Sequence, residues 1–221
     1  MSRPEHSAIR QAALSYHFDM KRAGFVLAGG SASRMGRNKA LLPYGGATLV
    51  EHVAARVASA AGCVVLVGPP RRYPHLPYLV VPDFFHHCGP LAGIHAALVA
   101  SPAEWNLVVA CDMPAVTADF LKSLLEAAES MNFDALVPAW SCGRLEPLCA
   151  VYRQKLAEPL AEALQHGVRQ VVQALAGLRV AHWPITEPEY FENLNTPKEL
   201  ARRSWRRAAL LHGPILPAGA P

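Results

Sequence analysis

A short apolar run, Gly24-Phe25-Val26-Leu27, passes without a break into Ala28-Gly29-Gly30-Ser31-Ala32-Ser33-Arg34-Met35-Gly36-Arg37-Asn38-Lys39, and few folds accommodate that juncture. Residues Gly24 to Ala28 read as a buried strand. The residues after it are small and turn-forming. Gly29 and Gly30 let a ligand come close to the main chain, so successive amide N–H groups can converge on one anion, and Arg34 and Lys39 add fixed positive charge. The segment therefore reads as a phosphate loop set at the end of a strand. A triphosphate needs several donors and cations around it, because neutralising charge on the leaving side is most of what a phosphoryl-group enzyme does.

Two familiar glycine-rich loops do not fit these residues. The dinucleotide fingerprint G-x-G-x-x-G fails because Gly30 and Ser31 follow Gly29 where a spaced glycine is required. The P-loop pattern G-x-x-x-x-G-K-[ST] fails because Arg37 follows Gly36 and Lys39 has no hydroxyl neighbour.

Short apolar runs alternate with helical stretches along the rest of the chain, the pattern of βαβ units around a mostly parallel sheet. Strands are expected at Cys63 to Val67, Tyr78 to Val81, Asn106 to Ala110, Asp134 to Pro138, Arg144 to Tyr152 and Arg179 to Trp183. Helices are expected over Thr48 to Ala60, with Thr48 as N-cap and Gly62 as stop, over Leu91 to Ala100, and over Thr117 to Glu129. Further helices cover Gln154 to Gln165, a short stretch after Gly167, and Pro197 to Ala208 with Thr196 as its cap. At 221 residues, 52% hydrophobic and 17% charged, the chain is globular with room for one α/β domain. That domain is expected over residues 21–208, between an extension (1–20) and a Pro, Gly and Ala-rich tail (209–221), both expected to be disordered. Met20-Lys21-Arg22 stands directly before the first strand and would make a natural translation start.

Other classes are disfavoured. The net charge of +4 is not laid out as interleaved basic and aromatic residues, so nucleic acid is not an expected partner. Arg202, Arg203, Arg206 and Arg207 read first as the solvated end of a helix, with an anionic partner as the alternative. No apolar run is long enough for a membrane span, and a soluble cytoplasmic protein is expected. Five cysteines, three of them in apolar segments, point away from disulfides. His86, His87 and Cys88 lack the ligand spacing of a zinc site.

In parallel α/β sheets ligands lie beyond the carboxyl ends of strands, which singles out two acidic residues. Asp112 follows the run Asn106 to Ala110 and could bind Mg²⁺ or cap the next turn. Asp83 follows Tyr78 to Val81 and could face a ligand or serve as a turn residue. Gly89 and Gly93 flank Pro90-Leu91-Ala92, where glycine suits a tight passage from loop to helix.

The signature L-A-G-G-x₃-R-M-G-x₂-K, with Val-Pro-Asp (81–83), Gly-Pro-Leu-Ala-Gly (89–93), Ala-Cys-Asp-Met-Pro (110–114) and Asn-Leu-Asn-Thr-Pro (193–197) in that order, resembles the molybdenum cofactor guanylyltransferases. The likeness spans about residues 21 to 202. It implies a single-domain Rossmann-like nucleotidyltransferase fold with helices on both faces of a twisted sheet. It also implies transfer of GMP from GTP to the terminal phosphate of molybdopterin, with release of pyrophosphate. Leu27, Ala28, Gly29, Gly30, Lys39, Asp83, Gly89, Gly93 and Asp112 would bind GTP, the Gly89 to Gly93 segment closing over the base. Arg34, Lys39 and Asp112 would be catalytic, with Asp112 holding Mg²⁺. Other cofactor-biosynthesis proteins or molybdoenzymes are further partners the resemblance allows. A cytidylyltransferase on the same cofactor and a non-catalytic nucleotide-binding regulator are the alternatives; guanine is favoured because cytidylyl relatives tend to carry Ala in place of Gly29. Two departures stand out. Asn38 occupies a position where many relatives have Asp, and Val67-Gly68-Pro69 replaces an Asn that contacts the nucleotide.

Overall fold

The computed structural model describes residues 19–30 and 38–191. In chain order the elements are β1 (Arg22–Leu27), β2 (Pro43–Tyr44), β3 (Ala47–Thr48), α1 (Leu49–Ala61), β4 (Val65–Val67), β5 (Val80–Val81), α2 (Pro90–Ala100), β6 (Trp105–Ala110), α3 (Ala118–Ser130), β7 (Ala135–Ala139), β8 (Cys149–Arg153), α4 (Ala157–Gln165), α5 (Val171–Ala174) and β9 (Val180–Pro184). Seven strands form one sheet in the order β5-β4-β1-β6-β8-β7-β9. Its pairs are parallel except those of β8, which runs against both β6 and β7.

The chain folds this way because its apolar faces need cover on both sides. β1 and β6 are buried almost throughout, so neither can lie at an edge or face water. One face of the sheet packs against α1 and α3 through Val50, Val53, Val57, Leu121, Leu124 and Leu125. The other packs against α2, α4 and α5, with Leu91, Ile94, Leu98, Leu160 and Leu164 at its centre. Helices thus cover both faces, as expected.

Local chemistry sets the helix ends. Thr48 and Glu51 close a capping box at the start of α1: the Thr48 side chain accepts from the Glu51 amide at 3.4 Å, and Glu51 Oε2 accepts from the Thr48 amide at 2.9 Å. Gly62 ends the helix at φ 80°, a left-handed conformation that costs glycine nothing. Thr117 caps α3 by accepting from the Phe120 amide.

Several elements differ from expectation. The strand expected over Arg144 to Tyr152 is Cys149–Arg153, because residues 140–146 close a turn and Pro147 has no N–H for the ladder. The helix expected from Gln154 opens with a 3₁₀ turn, Gln154–Leu156, before α4. The strand expected from Tyr78 shortens to Val80–Val81, which among the described residues is an edge strand paired with β4 alone. A two-stranded hairpin, β2 with β3, was not expected, although Gly45-Gly46 at φ 60° and 89° form the kind of turn that tight hairpins require. The expected helix Pro197 to Ala208, the tail and most of the N-terminal extension lie outside the described residues.

Close packing of α1 on β1 depends on Gly24. A Cβ there would stand 2.4 Å from Val57 Cγ1 and 2.6 Å from the Cys63 carbonyl oxygen. The Cys63 backbone cannot give way as a flexible side chain would, so Gly24→Ala is expected to destabilise the fold by about 1–3 kcal/mol through overpacking. A lowered urea midpoint checks this, and an unchanged midpoint would contradict it.

Candidate active site

Four parallel strands finish on one rung of the sheet. Val81 of β5 pairs with Val67 of β4, Val67 with Leu27 of β1, and Leu27 with Ala110 of β6. The residues directly after them, Pro82-Asp83, Gly68, Ala28-Gly29 and Cys111-Asp112, therefore emerge side by side at one edge. β1 is also where the strand order reverses, since the chain runs outward from it to β4 and β5 and then crosses back to β6. The crevice between such strands at their carboxyl ends is where open α/β sheets bind ligands.

At this edge Lys39 Nζ lies 3.1 Å from Asp112 Oδ2, with each side chain between a quarter and a third exposed. The residues are 73 apart in sequence, and α1 brings them together. Lys39 opens a 3₁₀ turn whose Ala40 is buried, with Asn38 Oδ1 accepting from the Ala40 amide. The chain then makes the β2–β3 hairpin and enters α1, whose His52 and Arg56 reach across to the loop behind Asp112. Arg56 Nη1 donates to the Pro114 and Val116 carbonyls at 2.5 and 2.7 Å, and His52 Nε2 lies 3.2 Å from the Pro114 carbonyl. The Cys111 amide donates to Leu27 O at 3.1 Å, fixing the start of this loop on β1.

A second carboxylate faces the same edge. A Cβ on Gly29 would stand 3.1 Å from Asp83 Oδ2, and one on Gly93 would stand 3.6 Å from Asp83 Oδ1 and 3.1 Å from Leu27 Cδ2. Gly29, Gly93, Leu27 and Asp83 are therefore in one cluster, and both glycines leave room for the carboxylate. Asp83 Oδ1 is buried and accepts no hydrogen bond among the described residues. Burial pushes the Asp83 carboxyl above the ordinary carboxylate range, and the nearby His86 offsets only part of that effect. Gly89 caps α2 at φ 70°, so the Gly89 to Gly93 segment forms the passage from loop to helix.

Gly68 explains why no side chain stands at the position after β4. A Cβ there would lie 3.0 Å from both Ala28 C and Gly29 N, against backbone that cannot yield. The chain beyond Gly68 instead turns through Pro70–Arg72 and returns to the segment Ala28 to Gly30. Tyr73 Oη donates to Ala28 O at 2.5 Å, and Arg72 Nη1 donates to Gly30 O at 3.0 Å. Tyr73 is buried, and burial pushes its phenol above the ordinary range, which keeps it a donor.

Of the residues expected in the site, Leu27, Ala28, Gly29, Gly30, Lys39, Asp83, Gly89, Gly93 and Asp112 converge on this edge. Arg34 lies outside the described residues. His52, Arg56, Arg72 and Tyr73 were not expected. No local signal marks the first two, which sit on an ordinary amphipathic helix. Gly68-Pro69-Pro70 marks the end of β4 in the sequence but not the return of the chain toward Ala28.

The MobA-like NTP transferase domain family matches residues 24–180, a span that begins in β1 and ends in β9. The chain belongs to this family. The MobA-like chain is 37% identical over 184 residues to a protein of Trichormus variabilis named "Probable molybdenum cofactor guanylyltransferase", covering 80% of this chain and 87% of that one. A protein of Bacillus cereus with the same name is 34% identical over 189 residues, covering 81% and 94%. Among solved structures, molybdopterin-guanine dinucleotide biosynthesis protein A from Archaeoglobus fulgidus superposes with a TM-score of 0.73 at 29% identity, covering 84% of this chain and 98% of that one. The 2-C-methyl-D-erythritol 4-phosphate cytidylyltransferase of Thermus thermophilus shares the fold, with a TM-score of 0.65 at 23% identity and coverage of 85% and 98%.

The environment of Asp83 has a consequence for stability. Its folded-state pKa is raised, so the folded protein holds a proton there that the unfolded chain has already released, and stability falls as pH rises through that window. Asp83→Asn removes the buried charge. The variant is expected to unfold at a higher urea concentration than the parent at pH 8, with the gap narrowing as pH falls toward the ordinary carboxylate range. Equal midpoints at pH 8 would contradict the assignment.

Proposed function

We propose that this chain transfers GMP from GTP to the terminal phosphate of molybdopterin and releases pyrophosphate. The observation that carries the reading is the ion pair of Lys39 with Asp112, which lies two residues beyond the end of β6 on the rung where β1 also ends. The names of the MobA-like relatives supply the substrates; the chemistry comes from the residues. The main chain at Gly29 and Gly30 would offer donors to the triphosphate, and Lys39 would hold an α-phosphate oxygen. In-line attack by a phosphate oxygen of the acceptor forms the new pyrophosphate linkage and expels the β- and γ-phosphates. Positioning and charge neutralisation carry such a reaction, so it needs no covalent intermediate. Arg34, placed by its position in the signature, would face the leaving pyrophosphate.

Asp112 is the residue that would hold Mg²⁺. One carboxylate at a strand end, next to a phosphate loop, suits an ion that takes one or two carboxylates and fills its shell with substrate phosphates and water. No group of three or more His, Cys, Asp or Glu side chains able to hold a metal occurs among the described residues, so the donor set does not suit an ion held by protein ligands alone. When bound, the ion would neutralise charge on the phosphates.

Base choice falls to Asp83. Guanine presents adjacent N1–H and N2–H donors, which one carboxylate can accept together, whereas cytosine offers no such pair. A buried carboxylate oxygen without a partner is the complement to that edge. No helix among the described residues is long and apolar enough to cross a membrane, which accords with a cytoplasmic setting for this reaction.

Pyrophosphate release with GTP, CTP or UTP and molybdopterin tests the reading; turnover confined to CTP, or none with any nucleotide, overturns it. Asp112→Asn is expected to keep the fold and lower Mg²⁺-dependent turnover by about a hundredfold or more, and near-parental rates in the variant would remove the metal assignment. A methyl at position 29 presses on Asp83 Oδ2 at 3.1 Å. Gly29→Ala should therefore lower the ratio of kcat/KM for GTP over CTP by about tenfold, and an unchanged ratio would show that Asp83 does not select the base.

A further inference from the structure

Along the carboxyl edge the site has a fixed order: Asp83 after β5, Gly68 after β4, Gly29 after β1 and Asp112 after β6. With the base at the β5 end and the α-phosphate at β6, the second substrate must arrive from beyond β6, where the edge continues over β8 and β7. The register carries Asp112's level across. Leu107 of β6 pairs with Val151, which pairs with Leu136 of β7. Beyond that pair β7 runs on to Ala139, which bridges Leu145, so Trp140 leaves the sheet at the same edge as Cys111. Two strand spacings, about 10 Å, separate β7 from β6.

Trp140 opens a closed turn. Its amide donates to Arg144 O and the Gly143 amide donates back to Trp140 O, both at 2.8 Å. Trp140 Nε1 donates to Glu146 Oε1 at 2.5 Å, and Arg144 Nη2 meets the same oxygen at 3.0 Å. The Arg144 guanidinium carbon lies 4.4 Å from the centre of the indole. Phe191 supports the indole edge-on at 6.2 Å. The Glu146 side chain is 15% exposed and that of Arg144 62%, so the carboxylate is the buried clamp and the guanidinium is the face shown to solvent.

A second arginine over tryptophan sets the contrast. Arg153 stacks on Trp105 at 4.3 Å, but at the amino end of β6, with the indole buried and the arginine side chain 23% exposed. That pair seals the bottom of the core. In the Arg144 pair the indole packs against the core beside Phe191 while the guanidinium stays on the outside, and an exposed ion pair contributes little to stability. What it provides is a flat cation with its inner face on an indole, one edge on a carboxylate, and its outer face open.

We infer that Arg144, stacked on Trp140 and clamped by Glu146, docks the planar ring of the second substrate. The ligand class is a phosphorylated heteroaromatic ring that stacks on the outer face of the guanidinium while its phosphate reaches toward Asp112. Arg144 contacts substrate in this assignment, and Trp140 and Glu146 position it. The assignment rests on the nucleotidyltransferase reading above.

The test uses the full chain and two measurements. A pterin monophosphate is titrated against tryptophan fluorescence, and KM is measured separately for the acceptor and for GTP. In the parent, the pterin phosphate is expected to quench emission, and Trp140→Phe is expected to remove that component. Arg144→Ala and Arg144→Lys should each raise the acceptor KM by about tenfold while leaving the GTP KM and the urea midpoint unchanged. Full rescue by Lys would overturn stacking as the mode of binding. An unchanged acceptor KM in both Arg144 variants, with turnover intact, would overturn the proposal and leave the enzyme's activity standing. Absence of turnover by the folded parent with every nucleotide and molybdopterin would overturn the activity, and this assignment with it.

Discussion

The rung on which β5, β4, β1 and β6 end together is the constraint that generates the site. Parallel pairing with matched ends delivers four loops to one line, and the reversal of strand order at β1 opens a crevice between two of them. None of the four loops needs to be long. Gly29, Gly68, Asp83 and Asp112 each lie within two residues of a strand end, so their positions are set by the sheet and not by loop conformation. The close approach of α1 at Gly24 and of the chain at Gly68 keeps the layers tight enough for this to hold.

The reversed strand β8 divides the edge into two kinds of ground. On one side, loops rise from parallel strands and carry glycine, a lysine and two carboxylates. On the other, β7 and β8 are joined by a connection that turns back on itself at once, and its exposed chemistry is aromatic and cationic. A reaction joining a nucleotide to a second substrate needs two adjoining pockets with different recognition chemistry. One strand run backwards supplies the boundary.

Much of this was legible in the sequence, and the limits have physical causes. The glycine-rich loop after β1, the capped helices α1 and α3, and the acidic residues Asp83 and Asp112 all announce themselves, because turn chemistry, capping and strand ends are local properties. The family resemblance added the expectation that these distant residues share one site. What stayed hidden was long-range. Arg56 and His52 sit on a helix whose apolar stripe explains its burial but says nothing of the carbonyls its polar face will meet 58 and 62 residues away. The role of Tyr73 depends on a turn after β4 that brings a phenol beneath Ala28. The segment 144–148 reads as strand from its composition, and only the turn closed by Trp140, Gly143 and Arg144 shows otherwise. Gly68 seemed a lost contact. It proves to be a spatial requirement of the neighbouring strand.

Helix α1 carries a consequence of its own. Its amino end continues directly from the hairpin behind Lys39, its middle grips the carbonyls behind Asp112, and its inner face is packed into the core by Val53 and Val57. The sheet end places Asp112, and the same rigid helix braces both the loop behind it and the hairpin behind Lys39. Such an arrangement ties chemistry to a single cooperative unit of the fold: whatever loosens that strut, even briefly and without unfolding the rest, separates cation from carboxylate. Fidelity of the centre therefore depends in part on the local opening energy of one helix.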